Sequence, residues 1–168
     1  RSAEANLRRR IELCREISHE HSEAIGHLEL GNVLAYRGEW YEAEKELTTT
    51  LQMAEKQNHI QMQGVTWAYR TLRELLMIRV ASTPTLPRDA RVEVAEQREG
   101  ALNAARHTLE LADEWQKQVG RPNARDYVRV HWLLGAAHRV NENYIDAENH
   151  LHVALTRCRT INMVDHEG

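Results

Sequence analysis

The sequence predicts an all-α chain of about seven helices, laid out as antiparallel pairs stacked side by side, and three observations carry that expectation. The first is residues 30–53, LGNVLAYRGEWYEAEKELTTTLQM, where Gly31 and Ala43 are small residues placed for close contact between two helices and Gly38 offers the permissive backbone of a tight turn. The second is a recurring series of small, large, large and small residues: Ala3, Leu7, Ile11, Cys14; Ala43, Leu47, Leu51, Ala54; Ala101, Ala105, Leu109, Ala112; and Ala147, Leu151, Leu155, Cys158. Offsets of four, eight and eleven residues keep each series on one face of a helix, so each reads as a buried seam. The third is the regular punctuation between these segments by Gly, Pro, Asn and His-rich turns.

Taken in order, residues 3–18 form a helix that ends at His19-Glu20-His21-Ser22, with Ser22 placed to cap the next helix, 23–37. A third helix follows from Trp40 to Gln57 and is broken by Asn58-His59, and a fourth runs over 61–80. Pro84 and Pro87 cannot continue a helix, so Ser82-Thr83-Pro84-Thr85-Leu86-Pro87 is a loop. Arg88 or Asp89 opens a long fifth helix reaching Val119, with Val92, Ala95 and Leu102 facing Leu75, Leu76 and Ile78 of the fourth. Gly120-Arg121-Pro122-Asn123 separates it from the sixth helix, 124–140, for which Asn123 is the cap. The seventh covers 144–161, and the tail 162–168 frays.

Leu30, Gly31, Gly38, Trp40, Ala43, Leu47 and Leu51 stand where the tetratricopeptide repeat (TPR) has its signature residues, and the chain resembles that family. Leu134, Gly135, Tyr144, Ala147, Leu151, Ala154 and Leu155 repeat the pattern, with Glu142 in the place of the turn glycine, which suggests a slightly different turn. The leading alanines lie 40, 58 and 46 residues apart, so the unit is longer than the common form and resembles the extended repeats of bacterial signalling proteins. The resemblance implies a TPR-like α-solenoid in one domain, 1–168: an outer helix at 3–18 without its partner, then repeats at 23–57, 61–119 and 124–161, the second drawn out into an extended hairpin. On this reading the chain is a fragment of a longer protein. The middle pair lacks Leu-Gly, and either Thr71 or Ala68 takes the glycine position.

Composition narrows the function classes. The net charge of −3 with mixed signs lacks the basic face of a nucleic-acid binder, and no apolar run is long enough for a membrane span. Two cysteines make no disulfide framework, so a cytoplasmic, reducing setting is expected, with Cys14 and Cys158 inert in their seams. No phosphate loop, H-E-x-x-H or G-x-S-x-G motif occurs, and no paired carboxylates or nucleophile–base sets stand out, so we expect no enzyme, no catalytic residues and no cofactor. Ten histidines invite a metal reading, but no four-ligand spacing supports one. His131 and His138 share a helix face near Trp132 and read as surface or packing residues, and the acidic runs 39–46 and 142–148 read as solvated outer faces.

What remains is recognition. In the TPR architecture the first helix of each pair lines an inner groove, and the resemblance places Ile25, Leu28, Asn32 and Tyr36, then Tyr69 and Leu72, then Arg129, Trp132 and Arg139 on it. The expected partner is a protein or peptide, acidic and amphipathic, held by apolar anchors between arginines. Leu28 beside Asn32 argues against the family's clamp for a terminal carboxylate. The other reading is a structural spacer that self-associates, as a homodimer, through its helical faces.

Overall fold

The computed structural model describes residues 2–82, 90–121 and 123–161. Its helices are α1 Ser2–Glu16, α2 Glu20–Tyr36, α3 Trp40–Lys56, α4 Ile60–Ala81, α5 Ala90–Val119, α6 Ala124–Val140 and α7 Tyr144–Thr160, with no strand among the described residues. These bounds lie within a few residues of those read from the sequence. The loop through Pro84 and Pro87, the helix start at Arg88 or Asp89, the side chain of Val92 and the tail 162–168 lie outside the described residues.

Four junctions are one turn used four times. Ser18, Gly38, Asn58 and Glu142 all adopt left-handed backbone, with φ of 54, 80, 52 and 64°. The following residue in each case (His19, Glu39, His59, Asn143) donates its N–H to the carbonyl five residues back, at 2.8–3.0 Å, the closure that ends a helix on a left-handed residue. The carbonyl of that same residue then accepts the first bond of the next helix, from Glu23, Ala43, Gln63 and Ala147. Three residues therefore reverse the chain and make neighbouring helices antiparallel. Glu142 occupies the turn that glycine occupies at Gly38, so the different turn expected there does not occur. Ser22 does not cap α2 either: His19 does, its Nδ1 accepting the Ser22 N–H at 3.3 Å, and His59 treats Met62 alike at 3.2 Å. Asn123 holds the cap position of α6, but its side chain makes no capping bond.

Consecutive helices pack on each other, and α2, α4 and α6 also pack together in one layer, whereas α1, α3, α5 and α7 make no mutual contacts among the described residues. Within a pair the approach is close. A Cβ on Gly31 would meet Leu47 Cγ at 2.9 Å and the Ala43 carbonyl at 3.2 Å; one on Gly135 would meet Leu151 Cγ at 2.6 Å and the Ala147 carbonyl at 3.2 Å. Gly26 does the same for α1, where Ile11 Cγ1 lies 2.7 Å from the built Cβ. Ala43 and Ala147 are buried as the seam requires, and so are Cys14 and Cys158, both free thiols.

The α4–α5 pair is registered differently from the Ala101 series. Leu111 stands against Gly64 as Thr50 stands against the Ala24 carbonyl, and Trp67 meets His107 edge to face, which sets buried Ala104 in the place of Ala43 and fully buried Thr71 in the place of Gly31. Leu75, Ile78 and Leu102 join Val130 and Leu134 in one core, as expected for the first three. Val94 rather than the exposed Ala95 packs there, and Leu76 turns instead to the cluster of Ile11, Leu34 and Ala43.

Two outcomes test this packing by chemical denaturation. Ala43→Leu should cost about 1–3 kcal/mol or more, because the Gly31 backbone on the facing helix leaves no room for it. Glu142→Gly should add up to about 1 kcal/mol by relieving left-handed strain in a non-glycine residue; a loss of stability would contradict the common turn.

Candidate functional site

Aligning the three pairs on Gly31, Thr71 and Gly135 exposes a contact repeated across each, polar in the first and last pairs and aromatic in the middle one. The residue four before meets the residue three after the paired alanine: His27 with Glu46, Trp67 with His107, His131 with His150. His27 Nδ1 lies 2.5 Å from Glu46 Oε2, and both side chains are buried. Glu46 is thus no outer-face residue, contrary to the reading of the acidic run 39–46. A carboxylate is tolerated there because an imidazole is fixed opposite it.

In the last pair the carboxylate has become a second imidazole. His131 Nδ1 and His150 Nδ1 lie 3.0 Å apart, and the rings of His131 and His138 both stack on His150, at 5.3 and 5.4 Å. Tyr127 continues the column on α6, donating its hydroxyl to Asp113 at 2.5 Å while the Arg157 guanidinium lies over its ring. Burial, with the adjacent His150 and Arg157, lowers the His131 pKa to about 4 against the weaker opposing pull of Asp113. Burial and His138 lower that of His150, partly offset by Asp146. Burial and the bond to Asp113 push the Tyr127 phenol up to about 12. His131 and His138 therefore face α7, away from exposed Trp132 rather than beside it. The sequence signal for this column was the 104-residue offset between the pairs, which lays His27 over His131 and Glu46 over His150.

The residues assigned to the groove divide into two sets. Ile25 packs on the Ala24–Ala54–Met62 cluster, and Leu28 is 8% exposed, so both belong to the core between α2 and α4. Asn32, Tyr69 and Leu72 are half-buried, and the Asn32 Oδ1 has no hydrogen-bond partner. Tyr36 is 63% exposed and Trp132 47%; Arg139 is exposed, and Arg129 is half-buried and paired with Asp126 at 3.5 Å. The division follows from register. Arg129, Trp132 and Arg139 on α6 hold the places of Ile25, Leu28 and Ala35 on α2, where α4 packs; among the described residues no helix packs in that way on α6.

A crevice between α4, α5 and α6, lined by Gly64, Ala68, Leu111, Trp115 and Tyr127, has about 20 Å³, room for one water. No three or more His, Cys, Asp or Glu among the described residues are arranged to hold a metal ion, and none of the described helices is long and apolar enough to cross a membrane. No protein-family model matches the chain, and no curated protein matches it in sequence.

The imidazole column makes stability depend on pH. Unfolded histidine titrates near 6.5, and His131 only near 4, so below about 6.5 the unfolded chain binds the extra proton and stability falls with pH. Thermal unfolding between pH 7.5 and 4.5, above the range in which the low-pKa Glu4 and Glu20 protonate, should show that fall. His150→Glu, which rebuilds the His27–Glu46 arrangement, should flatten it; an equally steep fall in the variant would remove the column as its cause.

Proposed function

We propose that the chain is a TPR-like α-solenoid acting as a protein-binding scaffold, the docking or sensing part of a larger regulator. The observation that carries the reading is Trp132, a large aromatic held half-exposed between Arg129 and Arg139 on a helix that packs on α4, α5 and α7. Aromatic and arginine side chains of this kind are the usual anchors of protein interfaces. The shared turn, the close glycine–leucine approach and the continuous α2–α4–α6 layer support the solenoid reading. The partner is a protein or peptide segment with apolar anchors and acidic flanks, and the chain acts without catalysis, cofactor or nucleic acid. Exposed Leu13 on α1 and Ile17 just after it, with Tyr144 and Ile145 on α7, favour a second reading, self-association through the ends.

Affinity capture with the parent chain, Trp132→Glu, Arg139→Glu and the exposed control Glu55→Lys tests the scaffold. The first two variants should keep their helicity and melt within a few degrees of the parent, yet lose the partner by about 2 kcal/mol or more, while Glu55→Lys retains it. Loss in the control alone would put the partner on the outer helices. A parent chain that forms dimers and captures no partner would favour the self-associating spacer.

A further inference from the structure

The α5–α6 junction departs from the common turn: four residues, 120–123, separate the two helices, where three do at the four shared turns. Beside it the crevice between α4, α5 and α6 widens. Its narrow part, with room for one water, is bridged by Gln61, whose Nε2 donates to Asp126 at 3.1 Å. At the start of α6 it opens into a cavity of about 410 Å³, bordered by Gln61, Trp115, Val119, Arg121, Asn123 and Ala124. That volume falls among small-molecule sites, roughly 300–1,000 Å³. The largest side chain of the wall, half-buried Trp115, ends a run of near-parallel rings that passes through His59 to His21, with interplanar angles of 13 and 14°. The charge of the wall is unbalanced. Arg121 is the one charged group among the described residues that line the cavity. In the narrow part Arg129 and Asp126 pair with each other at 3.5 Å and leave no net charge. Of the nearest charged residues along α5 and α6, Asp113 accepts from Tyr127, Glu114 and Lys117 are of opposite sign, and Arg125 adds a positive charge.

We propose that this cavity binds a small planar aromatic carboxylate, its ring laid against Trp115 and its carboxylate paired with Arg121. The inference goes beyond the scaffold reading and does not depend on it. A ring set on Trp115 extends the run of near-parallel rings and takes apolar surface of Val119 and Ala124 out of water. A carboxylate matches the planar fork of the guanidinium with two parallel hydrogen bonds. The narrow part of the crevice admits nothing larger than water, so the occupant stays at the mouth, within reach of both groups. The same wall discriminates. An aromatic cation meets Arg121 with like charge, and an aliphatic acid pairs with Arg121 but has no flat face for Trp115.

The test titrates the whole chain with naphthoate, naphthylmethylammonium and cyclohexanecarboxylate, by isothermal calorimetry at low salt. Naphthoate should bind at one site per chain, about tenfold or more tighter than either of the others. Arg121→Gln should weaken it about tenfold, and Val119→Trp, which fills the cavity from an exposed position, should weaken it at least as much. Arg106→Gln, at an exposed arginine elsewhere on α5, should leave it unchanged. Each of these variants changes an exposed side chain, so circular dichroism should find all three as helical as the parent. Equal affinity for the three compounds, or no saturable binding of naphthoate, overturns the proposal. So does an equal loss in Arg121→Gln and Arg106→Gln, which would mark general attraction of anions, and so does undiminished binding in Val119→Trp, which would put the site elsewhere.

Discussion

The close approach of paired helices is the constraint on which the other features depend. Where Gly31 faces Leu47 and Gly135 faces Leu151, a single added carbon would collide, and the carbonyls of Ala43 and Ala147 sit just behind. That proximity needs a turn that reverses the chain in three residues, and left-handed Ser18, Gly38, Asn58 and Glu142 supply it. It also brings the residue one helical turn before each glycine against the facing helix, where an apolar pair would fit as well. This chain instead uses His27 with Glu46 and His131 with His150.

Those polar contacts are not equivalent in energy. An imidazole opposite a carboxylate is matched whether or not it carries a proton, because the carboxylate accepts in either case. Two facing imidazoles are matched only while at least one stays neutral, and burial keeps His131 neutral well below the usual range. The last pair is therefore the acid-sensitive part of a chain whose pairs otherwise follow one plan. It is also the pair with an open face, so the helix that presents Trp132 is held to α7 by the contact that protonation weakens.

The helices, the antiparallel pairing and the seam alanines 43 and 147 were legible because glycine, alanine and leucine at fixed spacing have few other uses, whereas Ala3, read as the start of the first seam, is exposed. The left-handed geometry of the turns was legible only where glycine marked it. Ser18 and Asn58 carry the same geometry with ordinary residues, and Glu142 looked like a departure although its backbone hydrogen bonds are the same. The middle register stayed open between Thr71, which the structure sets in the glycine position, and Ala68, and its second helix was placed on Ala101 rather than Ala104 because alanines 101, 104 and 105 compete for one position. Glu46 was assigned to solvent because a local charge run conceals that its partner is nineteen residues away. Leu28 was assigned to the groove, although it is buried, for a plainer reason. Leu28 and Trp132 hold one register position, but whether it is core or surface depends on whether a helix packs over it as α4 packs on α2, which no local pattern records.

That last contrast is the most direct measure of the account. Leu28→Cys and Trp132→Cys, made separately, should differ in their rate of reaction with a soluble thiol reagent under native conditions, against the slow background of buried Cys14 and Cys158. The thiol at position 132 should react nearly as fast as one in an unfolded peptide, and that at position 28 slower by about a hundredfold or more, because it must wait for α4 to open. Equal rates at the two positions would contradict a shared plan that is covered in the first pair and open in the last.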